Sequence, residues 1–206
     1  CTWGSPTASS TQVPSMVKRT TTKTDRFDFG AGGTIAINGS PDGSIKVIGP
    51  AKNEVEITAE IEVPATGGNG TLIAQGGRFG GWSLYVKDGV PAYDYNFLGL
   101  QRFSVASAKK LSPGKHTVVF GFAYDGGGPA KGGKGMLLVN GQKVGEGRIG
   151  VTQPGMFSAD ETADIGIDLG TPVVEAIGSE AKSRFTGRIP RVTIEVKDAK
   201  PAVKSE

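Results

Sequence analysis

The 206-residue chain holds one cysteine and one histidine. The cysteine is residue 1, so no internal disulfide is available and a thiolate zinc site is excluded. Nothing approaches the ~18 consecutive apolar residues of a membrane-spanning helix, and there is no initiator Met and no apolar signal core. Charge of one sign is lacking too. Lys and Arg number 23 against 20 Asp and Glu, for a net charge of +3. The bases form no cluster and no nucleic-acid-binding motif, so the reading is of no nucleic-acid partner. What the chain has in excess is glycine, 33 residues, far above the ~7% of ordinary proteins. The glycines are spread between apolar runs and read as many tight turns. Hydrophobic residues at 37% are enough for a core, and one domain suits this length.

The apolar runs have the period of strands. Val55, Ile57, Ala59, Ile61 and Val63 share one face of an extended segment, while Glu56, Thr58, Glu60 and Glu62 share the other, the mark of a half-buried strand. GGTIAI and GSIKVI are shorter alternations on either side of Asn38–Gly43. Thr71–Gln75 is short and apolar. Ser83–Lys87 and Ala92–Phe97 flank Asp88-Gly89, and Met136–Val139 and Gln142–Gly147 flank Asn140-Gly141, two strong hairpin signals. Thr117–Tyr124 is apolar on both faces, as expected of a central strand, and Arg191–Val196 closes the series. The acidic stretch Gln153–Ser183 is irregular, with room for a short helical turn. Roughly a dozen short strands with turns every ~8–12 residues and no βαβ alternation predict an all-β antiparallel sandwich.

The ends read differently. Cys1 leads into TWGSPTASSTQVPS, and this start resembles that of a mature bacterial lipoprotein. The resemblance implies a lipid on Cys1, a Ser/Thr/Pro-rich arm over residues 1–26, and an extracytoplasmic place at the outer membrane, at the cell surface or in the medium. In this reading the lipid is the only link to a membrane. The sandwich domain is then 27–197, and 198–206 is a charged tail.

Several runs stand in one order: AEIEVPATGGNGTLIAQGGRFGGWSLYVKDG, YNFLGLQRF, LSPGKHTVVFGFAYDGGGPAKGG, VNGQKVGEGR, FSADETADIGIDLGTPV and FTGRIPRVTIEV. Over about Glu54–Val196 the chain resembles the non-catalytic C-terminal domain of bacterial arylsulfatases. The resemblance implies a concanavalin-like, laminin-G-like jelly roll with an extended N-terminal arm. The sulfatase nucleophile context, C/S-x-P-x-R, is absent: Cys1, Ser5-Pro6 and Ser40-Pro41 all fail it. One histidine cannot fill the acid–base roles of that chemistry. The resemblance therefore carries fold and not activity, and the chain is expected not to be an enzyme.

The candidate sites each have a plain alternative. Trp82, Tyr85, Tyr93, Tyr95 and Phe97 lie on two strands joined by Asp88-Gly89, with Trp82 and Tyr85 on opposite faces and the last three on one. Aromatic rings stack on sugar rings, and Gln75, Arg78, Asn96 and Arg102 are polar neighbours that hydrogen-bond hydroxyls. The alternative is cross-strand and core packing. Asp160, Glu161, Asp164 and Asp168 share one loop, and closely spaced carboxylates supply calcium ligands. Their alternative is capping of neighbouring backbone, and no cofactor is required. His116 opens a strand beside Lys115 and reads as structural. Gly126–Gly128 with Lys131 and Lys134 lacks the phosphate-loop pattern and reads as a hairpin loop. In the arm, Val13, Met16, Val17, Thr20, Thr21 and Thr22 make a β-prone segment able to add to a neighbour's sheet edge. Two functions follow: a self-assembling surface fibre subunit, a homo-oligomer or polymer joined by N-terminal strand exchange, or a carbohydrate-binding module serving a polysaccharide-degrading or sulfatase system.

Overall fold

Alternation of apolar and polar residues sets the strands, and their pairing builds two sheets. The computed structural model describes residues 33–37, 54–155, 157 and 163–197. The strands are β1 (Gly33–Ile37), β2 (Glu54–Val63), β3 (Gly70–Gly77), β4 (Gly80–Lys87), β5 (Val90–Phe97), β6 (Gln101–Ala106), β7 (Gly114–Tyr124), β8 (Gly133–Val139), β9 (Gln142–Ile149), β10 (Ala163–Ile165) and β11 (Arg188–Lys197). A 3₁₀ turn (Glu175–Ile177) and α1 (Glu180–Ser183) interrupt the stretch between β10 and β11. The first sheet runs β1-β11-β2-β7-β8-β9 and the second β10-β3-β4-β5-β6. All named strand pairs are antiparallel.

The long β2–β7 pairing holds the first sheet together. It matches Glu54 with Ala123 at one end and Val63 with Gly114 at the other. Ile57, Ala59, Ile61 and Val63 of β2 and Val118 and Phe120 of β7 are buried. They meet Ile73, Leu84, Val86, Tyr93 and Tyr95 from the second sheet in one core. At one edge the two sheets close on each other, β9 against β6. A Cβ on Gly145 would stand 2.4 Å from the Ala106 carbonyl oxygen, so only glycine admits this approach.

The second sheet is covered on both faces. Ala74, Tyr85 and Ala92 on its outer face pack under Val173, Val174 and Ile177. Two faces of burial explain why β4 and β5 lack the clean alternation of β2.

Most expected strands are present, with three differences. β7 is one-sided: Val118 and Phe120 are buried, whereas Thr117, Val119 and Gly121 on the other face are only half-buried. That face of the first sheet carries no covering layer of described residues: β7 is the central strand its sequence suggests, between β2 and β8, but its second apolar row, Val119 and Ala123, stays partly exposed. The sequence reading missed β6 and β10. The helical turns fall inside the stretch where room for one was seen. GSIKVI, the arm with Val13, Met16, Val17, Thr20, Thr21 and Thr22, Cys1 and the tail 198–206 lie outside the described residues.

Phe120 is 1% exposed and its ring lies parallel to Tyr93 of the opposite sheet at 3.5 Å between centroids. Phe120→Ala is expected to lower stability by about 3–5 kcal/mol, the usual cost of a buried aromatic, measured by urea denaturation.

Candidate functional site

The inner faces of the sheets part at the end where β2 begins. Between them lies an open cleft of about 360 Å³, lined by Val55, Gln75, Trp82, Tyr93, Tyr95 and Phe157 among others. Register explains the convergence. Gln75 opposes Trp82, and Trp82 opposes Tyr95, so all three point to the same inner face. Phe120, Phe122 and Tyr124 alternate along β7 and supply the opposite wall.

The rings are fixed by packing and by hydrogen bonds. Trp82 stacks on Tyr93 at 6.2 Å and 21°, and Phe157 meets Tyr95 edge-on at 5.8 Å and 67°. The Trp82 indole N–H donates to Gln75 Oε1 at 3.2 Å. The Gln153 backbone N–H donates to the Tyr95 hydroxyl oxygen at 2.7 Å. Tyr124 donates its hydroxyl to the Gly128 carbonyl and accepts from the Lys131 N–H, and Thr152 donates to the Lys131 carbonyl at 2.7 Å. Burial pushes the Tyr95 hydroxyl up to about 12 and Tyr93 well above its usual range.

The remaining sugar-site candidates stand elsewhere. Tyr85 is on the outer face of the second sheet, under Val173 and Val174. Asn96 is also on that face and is spent on structure. Its amide donates to the Gly77 and Arg78 carbonyls at 3.3 and 2.8 Å, and its oxygen accepts from Gly99 N–H at 2.9 Å. Arg102 donates to Glu175 at 3.0 Å, and Arg78 approaches the same carboxylate at 3.6 Å. The predicted set therefore divides: Trp82, Tyr93, Tyr95 and Gln75 converge, and Tyr85, Arg78, Asn96 and Arg102 do not join them. The reason is the period of two, which sends neighbours in sequence to opposite faces. Phe120, Phe122 and Tyr124 were legible as an alternating aromatic row but were not read as site residues. Phe157 and Gln153 come from an irregular segment that carries no such signal.

Of the acidic loop, Asp160 and Glu161 lie outside the described residues. Asp164 Oδ2 accepts from Leu169 N–H at 3.2 Å and Asp168 Oδ2 from Val173 N–H at 3.0 Å. Asp168 is fully buried, so these two carboxylates hold the segment that covers the second sheet. No cluster of three metal-ligating side chains occurs among the described residues. His116 sits at the far end of the sandwich from the cleft, paired in register with Ile61, its Nε2 2.8 Å from the Ser112 carbonyl and its Nδ1 3.1 Å from the Asn140 amide.

No protein-family model matches the chain, and no curated protein matches it. Solved structures do share the architecture. A leech intramolecular trans-sialidase, complexed with 2,7-anhydro-Neu5Ac, superposes with a TM-score of 0.50 at 12% identity over 84% of this chain. This chain spans 27% of that enzyme's chain. A carbohydrate-binding module, CBM40, of the Ruminococcus gnavus IT-sialidase bound to alpha2,3 sialyllactose gives 0.48 at 15% identity, over 74% of this chain and 80% of that one. Mouse laminin alpha1 domains LG4-5 give 0.47 at 16%, over 85% and 42%. At these identities the likeness is one of fold: the chain is an all-β, antiparallel jelly-roll sandwich.

On the outer face of the second sheet, Asp94 stands between Ser83 and Ser104 in register. Burial raises its carboxyl above the usual range, and the Ser104 and Tyr85 hydroxyls and the Arg102 guanidinium only partly offset this. An acid with a raised folded pKa binds more protons folded than unfolded. Stability then falls as pH rises from the unfolded value, about 4, through the folded one. Asp94→Asn is expected to raise the melting temperature at neutral pH, with the gain vanishing below about pH 4. A gain of the same size at both ends of a pH series of thermal melts would refute that origin.

Proposed function

We propose that the chain is a non-catalytic, extracytoplasmic carbohydrate-binding module and that its inter-sheet cleft takes an uncharged sugar unit. One observation carries the proposal: Trp82, Tyr93 and Tyr95 from one sheet and Phe122 and Tyr124 from the other face a single open cleft that also holds the amides of Gln75 and Gln153. Ligand sites are mostly apolar, with a few placed polar groups, and begin at about 300 Å³. Pyranose rings present a C–H face to aromatic rings and hydroxyls to amides. None of the described lining residues carries a charge. A sugar carboxylate or sulfate would be desolvated there without a partner, which is costly. The ligand class is therefore neutral, whatever acidic sugars other jelly-roll proteins bind.

The resemblance to arylsulfatase C-terminal domains supports a setting beside a sulfatase or polysaccharide-degrading enzyme. The comparisons add nothing to that origin. Fibre assembly rests on the N-terminal arm, which lies outside the described residues, and no observed contact favours it. The same holds for a lipid on Cys1. No helix among the described residues is long and apolar enough to cross a membrane.

Isothermal titration against neutral and acidic oligosaccharides tests the proposal. Saturable binding of a neutral glycan is expected. Trp82→Ala should weaken it about tenfold, or about 1.4 kcal/mol, with the melting temperature measured in parallel to show that the variant stays folded. Binding of acidic glycans alone, or an unchanged affinity in the variant, would contradict it.

A further inference from the structure

Three of the four large apolar side chains with strong exposure among the described residues stand together. Phe79 is 74% exposed, Leu98 40% and Leu100 78%. Phe79 is on the β3–β4 turn, and Leu98 and Leu100 are on the β5–β6 turn. The turns are neighbours: a Cβ on Gly80 would lie 3.6 Å from Leu98 N, and one on Gly99 would lie 3.4 Å from the Arg78 carbonyl oxygen. Asn96 bonds to both turns and clamps them into one rigid projection.

Leu98 is the unusual member. Leu100 N–H closes the turn onto the Phe97 carbonyl at 2.9 Å, with φ of 54° at Leu98 and 72° at Gly99. The Asp88-Gly89 and Asn140-Gly141 hairpins have the same left-handed pair, at 52° and 83° and at 51° and 78°. Asp and Asn suit that geometry, and Leu is strained in it. At this one hairpin a branched apolar side chain occupies the strained position, and its side chain reaches water instead of the core. Folding alone favours a different residue there.

We infer that Phe79, Leu98 and Leu100 are a lipid-inserting tip, with Arg78 and Arg102 held at the headgroup level around it. The size of the patch argues for a bilayer over a protein partner. Three partly exposed side chains on two adjacent hairpin turns supply less than the ~800 Å² that each partner buries in a standard protein interface. Two exposed guanidinium groups flank the tips and suit anionic headgroups. Arg78 and Arg102 are 64% and 36% exposed and share one surface carboxylate, Glu175, while the other acid near Arg102, Asp94, is mostly buried. Guanidinium groups remain in the headgroup layer while apolar tips sit below it. The cleft opens at the same end. Phe157, one of its lining residues, lies 3.7 Å from a Cβ placed on Gly80.

Vesicle flotation of the full chain, with Cys1 unacylated, tests the inference. Binding is expected to vesicles of phosphatidylethanolamine and phosphatidylglycerol, and more weakly to phosphatidylcholine alone. Phe79→Ser and Leu100→Ser should each lower the bound-to-free ratio about tenfold or more, the effect of roughly two buried methylenes. Leu98→Asn is the discriminating variant. It should lower vesicle binding similarly while raising the melting temperature by about 2–4 °C, because Asn suits the turn. Absence of wild-type binding to any of these vesicles overturns the inference. So does unchanged binding in all three variants, a fall in melting temperature on Leu98→Asn, or sedimentation showing that the variants abolish a dimer instead.

Discussion

The parallel contact of Tyr93 with Phe120 joins the two sheets, and the rest of the arrangement depends on it. One ring comes from β5 and the other from β7, so the stack sets how far apart the inner faces stand. Toward Ile61 and Leu84 the space behind it is filled by aliphatic side chains at 0–2% exposure. Toward Val55 and Trp82 the strands carry larger rings, and the sheets part into the cleft. Core and site are thus one continuous apolar interface. What changes along it is side-chain size, and the topology stays the same.

This continuity also explains how polar groups are distributed. Inside the cleft they are amides and hydroxyls already oriented by hydrogen bonds. The charged and amide groups of the neighbouring turns, Arg78, Asn96 and Arg102, face the other side of the second sheet and are tied to backbone or to Glu175. A sheet buried on both faces cannot present every polar residue to one ligand. Asp94 shows the cost of placing a carboxylate on such a face, and Asp168 shows the same group made structural by a backbone N–H.

Much of the fold was legible. The alternation in 55–63 and the Asp88-Gly89 and Asn140-Gly141 turns have local physical causes, so residue type alone identifies them. The β5–β6 hairpin was invisible because its turn begins with Leu98, which no turn chemistry favours. β10 was missed because it has three residues and takes its place from pairing with β3. The cover of Val173 and Val174 over Tyr85 is a long-range contact that period-two reading does not address. The site was half legible. Tyr93 and Tyr95 were placed on one face by alternation, with Trp82 a candidate on the paired strand, while Phe157 and Gln153 reach the cleft through tertiary packing of an irregular segment.

The central claim is that the parting of the two sheets beside the Tyr93–Phe120 stack is a binding cleft. The Trp82 indole N–H, bonded to Gln75 across adjacent strands, gives a direct reporter. In a ¹H–¹⁵N NMR titration with a soluble neutral oligosaccharide, the account predicts saturable shifts of the Trp82 indole and Gln75 amide signals, with the Asn96 and His116 signals unmoved. Shifts confined to the outer faces of the sheets, with the Trp82 indole unaffected, would contradict it.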